Sequence, residues 1–264
     1  MKRSKLKSDR QSTTMKIRRY SGVGFRVLLS LTALFLFQLP LPAYESDDAD
    51  SLTNLLERAA AGDASAQNNL AVAYWYNLEA AKGRLLIPTL TTNIAVESRY
   101  KSTCLKCAFL ANKATRSGVL PSIYLLGLLQ FESGMTNRDE AHGRLFLLYA
   151  AIHDYKLAQQ EYGKVLYHGL GGSSNWVEAA AFFRLAESSD VGLTFTNKVL
   201  FADIQSRLTK PEQLDVSRLV SNLRKVIGEQ KMVNTPQYLT DDYIFTTAEE
   251  ISVRLNGLET RTKP

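Results

Sequence analysis

The sequence predicts an all-α fold, an α-solenoid of αα-hairpin repeats with about three recognisable repeats and a degenerate capping repeat. Two observations support this prediction. Apolar and small residues recur at helical spacing through most of the chain. The helical pattern is interrupted at Gly62, Gly118, Asp154 and Asp190, and the last three interruptions lie 36 residues apart. A period of this length is typical of stacked helical hairpins.

The residues around the interruptions keep their character from repeat to repeat. Alanine lies four residues before three of them, and Ala71, Gly127 and Gly163 lie nine residues after the first three. Small side chains at such positions let two helices approach closely. Glycine, and at some cost aspartate, adopts the left-handed backbone conformation that ends a helix. Each interruption is therefore predicted to be a tight turn between the second helix of one hairpin and the first helix of the next.

Three segments resemble the Sel-one-like repeat family, which consists of tetratricopeptide-related helical hairpins. They are "AAAGDASAQNNLAVAYWYN" at 59–77, "SGVLPSIYLLGLLQFESG" at 117–134 and "WVEAAAFFRLAESSD" at 176–190. The resemblance extends from about Ser51 to Asp190, with a degenerate last repeat to about Gly228. It implies an α-solenoid that binds other proteins, with adaptor roles in complexes of the bacterial cell envelope.

The first repeat is 20 residues longer than the others, and the excess falls at about 78–103. Loops of this length in compact folds are usually functional or disordered, and this segment is too apolar for a free linker. We expect the insertion to extend from the open side of the first hairpin and to contribute to partner binding.

The repeat pattern decays after Asp190, where Lys198 and Val199 stand in place of an expected leucine and glycine. Residues 208–228 still predict an amphipathic capping helix with Pro211 in its first turn and Leu214 on its apolar side, together with Leu219, Val220 and Leu223. The helical repeat domain is thus assigned to 44–228. Residues 229–264 are assigned to a C-terminal tail that holds a short helix.

Residues 1–43 are assigned to an N-terminal signal segment. An uncharged run separates Arg26 from Glu45, and its apolar centre has the length of a signal-peptide core. Ala43 fits the last position before a cleavage site, and Met15 would give a more typical start. We expect an exported bacterial protein, periplasmic or secreted. The alternative is an uncleaved inner-membrane anchor at 27–43, which would be the only membrane contact.

The charge distribution argues against nucleic-acid binding. Residues 1–43 hold nine Lys or Arg and one acidic residue, whereas the rest of the chain has 23 basic and 25 acidic residues, a net charge of −2. The repeat domain therefore lacks the basic excess that a phosphate backbone requires. The expected partners are proteins.

No catalytic, cofactor-binding or metal-binding motif is found in the sequence. The histidines, His142, His153 and His168, are interpreted as solvated residues near helix ends, so no cofactor and no metal are predicted. Cys104 and Cys107 in "CLKC" have three interpretations. A local disulfide is favoured by the expected oxidising compartment. The second interpretation is a redox pair, which would need an exposed thiolate. The third interpretation is two reduced cysteines in the core of the hairpin.

A stripe on the first helices is a candidate partner-binding groove. Its positions lie 6, 10 and 13 residues after each turn, and they vary between repeats while their neighbours keep their type. The candidate groove residues are Asn68, Trp75, Tyr124, Phe131, Gln160, Lys164 and Tyr167. Such a stripe can line the concave face of a solenoid, where Tyr and Trp act as interaction anchors. The alternative is that these side chains pack on the adjacent repeat.

These observations predict a non-enzymatic scaffold or adaptor that binds proteins in the bacterial cell envelope. A thiol-disulfide oxidoreductase at Cys104 and Cys107, or another envelope enzyme, is one alternative. A secreted effector that binds host proteins is the other.

Overall fold

The computed structural model describes residues 52–85, 94–132, 134–135, 137–189, 191–230 and 239–260. All of the described elements are helices, which confirms the all-α prediction. The helices are α1 Leu52–Ala60, α2 Ala64–Leu85, α3 Ile94–Thr115, α4 Leu120–Leu129, α5 Glu140–Ile152, α6 Lys156–His168, α7 Trp176–Glu187, α8 Phe195–Arg207, α9 Lys210–Gln230 and α10 Asp241–Thr260. The predicted signal segment at 1–43, including Met15, lies outside the described residues.

Consecutive helices form hairpins that stack in chain order. Helix α2 packs against α3, α4 against α5 and α6 against α7, while α1 packs on α2 from the N-terminal side. The turns that join one hairpin to the next have left-handed backbone at Gly62 (φ 97°), Gly118 (φ 75°) and Asp154 (φ 67°). These are the first three predicted interruptions. Asp154 takes a conformation that an L residue adopts only at a cost.

The two helices of a hairpin approach most closely at the small residue nine positions after the turn. A Cβ atom at Gly127 would lie 2.8 Å from Leu147 Cγ in α5, and one at Gly163 would lie 3.0 Å from the Phe183 ring in α7. Real Cβ contacts are longer than this. The predicted role of these glycines in close helix approach is therefore confirmed.

The fourth repeat follows the earlier ones in part when its turn is placed at Gly192, although its ninth position holds Phe201 where the earlier repeats have a small residue. The predicted turn residue Asp190 lies outside the described residues. The left-handed residue is Gly192 (φ 63°), so Leu200 and Phe201 occupy the eighth and ninth positions and are buried. Lys198 and Val199 face outward instead. The apparent decay of the pattern was a change of turn length.

The last hairpin does differ from the others in how its helices pack. Helix α8 packs on α6 and α7, and α9 packs on α7 rather than on α8. The predicted capping helix is present as α9, with Leu219, Val220 and Leu223 buried. Leu214, which the sequence analysis placed on the same side, is 61% exposed.

The excess of the first repeat mostly lengthens its two helices. Helices α2 and α3 each have 22 residues, whereas the helices of the next two hairpins have 10 to 13. Of the predicted insertion at 78–103, only 86–93 lies outside the described residues. Leu78 and Tyr100 are buried in the core. The long projecting loop is therefore corrected, since α2 continues to Leu85 and α3 begins at Ile94.

The predicted C-terminal tail contains a 20-residue helix that belongs to the core. Helix α10 packs on α5 and α9, and Ile244, Ala248, Ile251 and Leu255 are buried at helical spacing. Phe245 stacks on His142 with ring centroids 4.4 Å apart and meets the Phe146 ring edge-on at 4.8 Å. The assignment of 229–264 to a tail is corrected accordingly. Sequence reasoning underestimated α10 because it has no counterpart in the repeat.

We expect Gly127→Ala to lower the free energy of unfolding by about 1–3 kcal/mol, because the added methyl group overpacks the contact with Leu147. Gly228→Ala is the matched control: Gly228 lies in α9 and a Cβ there meets nothing within 4 Å. This control should be neutral or stabilising by up to about 1 kcal/mol. Urea denaturation measures both, and equal effects would contradict the close-approach assignment.

Candidate functional site

Two of the predicted groove residues lie in the seam between successive first helices. Ser122 Oγ in α4 donates to Asn68 Oδ1 in α2 at 2.8 Å. Gln160 in α6 is only 2% exposed. Its Nε2 donates to the Gly192 carbonyl at 2.8 Å, and its Oε1 accepts from Thr194 N at 3.0 Å and Asn197 Nδ2 at 3.1 Å.

Gln160 is therefore not a surface anchor, and this assignment is corrected. Its amide pairs with the Gly192 carbonyl, the Thr194 N–H and the buried side chain of Asn197 at the turn before α8. A fully paired buried amide fixes the register of α8 on α6.

The aromatic groove residues Trp75, Phe131 and Tyr167 are partly buried and pack against the core. Tyr167 OH donates to Asp203 Oδ2 of α8 at 2.7 Å. This hydrogen bond joins residues that are one repeat apart. The positions six and thirteen residues after the turn thus mainly hold neighbouring first helices together.

The outward side of the first helices lies at other positions. Large exposed side chains stand 3, 7 or 14 residues after the turn, and at 100° per residue these positions share one side of a helix. They are Tyr76 (62% exposed), Leu157 (38%), Phe195 (75%) and Val199 (53%). We call these four residues the first-helix face. It is rotated by about 70° around the helix axis from the predicted stripe, given 3.6 residues per turn.

A tyrosine cluster adjoins the first-helix face. The rings of Tyr124 and Tyr155 lie 5.3 Å apart at an angle of 59°. Burial raises the pKa of Tyr124 well above its usual value, and the neighbouring groups Glu161, Tyr155, Glu79 and Tyr76 raise it further. Tyr76, Tyr124 and Tyr155 are thus near enough to influence one another across α2, α4 and the start of α6.

Of the remaining predicted groove residues, Tyr124 belongs to this cluster and Lys164 pairs with Glu161 beside it. Sequence reasoning missed Tyr76, Tyr155, Phe195 and Val199. Tyr76 directly follows the stripe residue Trp75, and Tyr155 directly follows a turn. Phe195 and Val199 were hidden by the misplaced turn of the fourth repeat. Tyrosine and phenylalanine supply large contact areas at low conformational cost, so this surface suits protein binding.

Cys104 and Cys107 lie within α3 as reduced, fully buried thiols. Cys107 Sγ donates to the Ala71 carbonyl in α2 at 3.2 Å. Cys104 points elsewhere: a Cβ atom at Gly134 would lie 2.7 Å from its Sγ. The predicted disulfide is not formed in this structure because the two sulfurs pack against different neighbours. Burial raises the pKa of Cys107 to about 12, helped by Cys104 and Glu132.

The described residues hold no group of three or more His, Cys, Asp or Glu side chains that could bind a metal ion. His153 is not solvated as predicted: it is half-buried, stacks on Tyr149 with ring centroids 4.2 Å apart and places Nδ1 2.8 Å from the Tyr149 carbonyl. Burial lowers its pKa. In the part of the chain that the structure describes, no helix is long and apolar enough to cross a membrane.

The fold and these surfaces define a helical-repeat protein. No protein-family model matches the sequence, and no curated protein matches it. Among solved structures, the chain is similar to the crystal structure of a protective antigen present in uropathogenic Escherichia coli strains, which displays an SLR fold. The identity is 16% and the TM-score is 0.46, and the match covers 81% of this chain and 49% of that chain. This chain therefore spans about half the length of that structure.

Replacing Gln160 by Leu should remove its hydrogen bonds to Gly192 and Thr194 and leave the buried Asn197 side chain without this acceptor. We expect the free energy of unfolding to fall by about 1–3 kcal/mol. Gln205→Leu, at an exposed position of α8, is the matched control and should change it by less than about 0.5 kcal/mol. Urea denaturation followed by circular dichroism compares the two, and a neutral Gln160→Leu would rule out a structural role for this amide.

Both thiols should be inert towards a disulfide reagent such as DTNB at pH 8 while the protein is folded. The reason is that burial excludes the reagent and the raised pKa of Cys107 leaves almost no thiolate. Both should react at once in concentrated urea. Fast reaction of the folded protein would contradict this and would favour the redox interpretation.

Proposed function

We propose that this protein is a non-enzymatic scaffold of the bacterial cell envelope that binds another protein through its first-helix face. The observation that carries the proposal is the exposure of Tyr76 on α2, of Leu157 on α6, and of Phe195 and Val199 on α8. Exposed aromatic and branched side chains of this size mark interaction surfaces. The adjoining tyrosine cluster adds hydroxyl groups that orient a partner by hydrogen bonds.

The location in the envelope rests on the sequence. The apolar run between Arg26 and Glu45 has the features of an export signal. The resemblance to Sel-one-like repeats supports an adaptor role. The acidic balance of residues 44–264 supports a protein partner over a nucleic acid.

The thiol oxidoreductase alternative receives no support from the cysteines. A redox pair needs an exposed thiolate with a lowered pKa, whereas Cys107 is buried with a raised pKa. The secreted-effector alternative uses the same surface for a host protein. Cell fractionation separates these two scaffold functions, since an envelope adaptor stays with the cell and an effector leaves it.

The test is site-specific photo-crosslinking in intact cells, with a photoreactive amino acid at Val199 and, as the matched control, at Val253. Both are valines exposed on a helix, 53% at Val199 and 70% at Val253, but Val253 lies on α10 away from the first helices. We expect a discrete protein adduct from Val199 and none from Val253. The partner is then identified by mass spectrometry.

A variant of the first-helix face tests whether the Val199 adduct depends on binding through this face. Phe195→Ala should abolish the Val199 adduct without changing the melting temperature, because 75% of the Phe195 side chain is already exposed to solvent. Adducts of equal yield at Val199 and Val253, or none at Val199 in folded protein, would reject the first-helix face as the binding site.

A further inference from the structure

The splayed last hairpin leaves a cleft at the C-terminal end of the repeat stack. Helices α8 and α9 both rest on α7 instead of on each other, and the space between them has a volume of about 630 Å³. This is within the usual range for small-molecule sites, about 300–1,000 Å³. In the preceding hairpins, by contrast, the first and second helices pack directly on each other.

The lining of the cleft is mixed: five residues are apolar, and Gln205, Gln213 and Ser217 are polar and uncharged. Ala180 of α7 lies at its base, and Phe201, Leu208, Leu214 and Val216 line it from α8, α9 and the link between them. Leu214 is 61% exposed although it belongs to an amphipathic helix. Its exposure is explained by its position on the wall of the cleft, where an apolar ligand would cover it.

The charged lining residues are two cations, Arg184 and Lys210, and no carboxylate lines the cleft. Arg184 Nη1 donates to Ser217 Oγ at 3.2 Å, which is a single neutral contact. Within the described residues neither cation has an acidic partner. By contrast, the neighbouring arginines outside the cleft are paired, Arg207 with Asp203 and Arg218 with Asp215. Glu212, the acidic residue nearest to Lys210 in sequence, accepts from Thr209 N and Oγ1 instead.

We propose that this cleft binds a carboxylate that is attached to an apolar chain. The apolar chain would cover Phe201 and Leu214, and the carboxylate would accept hydrogen bonds from Arg184 and Lys210. A guanidinium suits a carboxylate because its N–H groups match the two oxygens, and the ammonium of Lys210 adds a second positive charge. A fatty acid and the apolar C-terminus of a peptide both present this chemistry.

Isothermal titration of the purified full chain with decanoate tests the proposal, with decanol as the ligand that lacks only the charge. We expect decanoate to bind at least about tenfold more tightly than decanol, since hydrogen bonds to a charged group contribute about 1.5–3 kcal/mol. Arg184→Gln and Lys210→Gln should each weaken decanoate binding by about tenfold. Lys225→Gln, elsewhere on α9, is the matched control and should leave it unchanged.

Two further variants distinguish a loss of ligand binding from a loss of folding. Arg184→Lys keeps the positive charge and should recover part of the affinity if Arg184→Gln proves unstable. Leu214→Asn should weaken decanoate and decanol alike, because it alters only the apolar wall. The proposal is overturned if decanoate does not bind, if decanol binds equally well, or if the two cation variants bind like the control.

The two sources of the carboxylate are distinguished with an apolar pentapeptide in free-acid and amidated forms. Competition with decanoate by the free acid alone identifies a peptide C-terminus as an acceptable ligand. If neither form competes while decanoate binds as expected, the site is assigned to fatty acids.

Discussion

The close approach of the two helices at Gly127 and Gly163 is the constraint on which the repeat architecture depends. Leu147 and Phe183 press directly onto glycine backbone, so the hairpin axes are nearer than any side chain at these positions would allow. This contact fixes which side of each first helix turns inward. On α2, α6 and α8 the exposed residues that lie 3, 7 or 14 positions after the turn point away from the buried ones, whereas Leu125, seven positions after the turn in α4, is buried.

Stacking of one hairpin on the next relies on a second kind of contact, the polar seam. Asn68 with Ser122, Gln160 with Thr194 and Asn197, and Tyr167 with Asp203 each connect adjacent first helices. These side chains differ in every repeat because each must match a different neighbour. Variation between repeats was therefore a sign of pairwise matching within the chain. An apolar seam would permit sliding, whereas paired polar groups specify one register.

The fold was largely predictable because its determinants are local. Turn residues, small residues nine positions later and apolar periodicity all lie within one hairpin, and they identify α4 to α7 directly. The predictions that differ from the structure concern features that the residue pattern within one hairpin does not determine. A two-residue change of turn length hid Leu200 and Phe201, and an apolar excess at 78–103 is equally compatible with a loop or with longer helices. Helix α10 packs on α5, which lies far away in sequence.

The functional surfaces were less predictable, and the reason is geometric. A stripe of variable residues can be assigned to a helix, but whether it faces a neighbour or solvent depends on the packing angle between repeats. The structure turns Gln160 inward and Val199 outward, although both lie on comparable parts of a first helix. The cysteines show the same limit: their spacing permits a disulfide, yet Cys107 packs on Ala71 while Cys104 packs near Gly134.

The last repeat of a stack has no following repeat to cover its apolar surface, and the C-terminal helices of this chain show which part of that surface is covered. Each hairpin before the last is covered by its successor, whereas α8 has no first helix beyond it and α9 packs on α7. Covering α8 completely would need another hairpin. The chain instead returns α10 to α5, which buries Ile244, Ile251 and Leu255 on the second-helix side. Since repeat stability is close to a sum of local terms, this arrangement keeps the core intact while Phe195, Val199 and Leu214 stay exposed among the described residues.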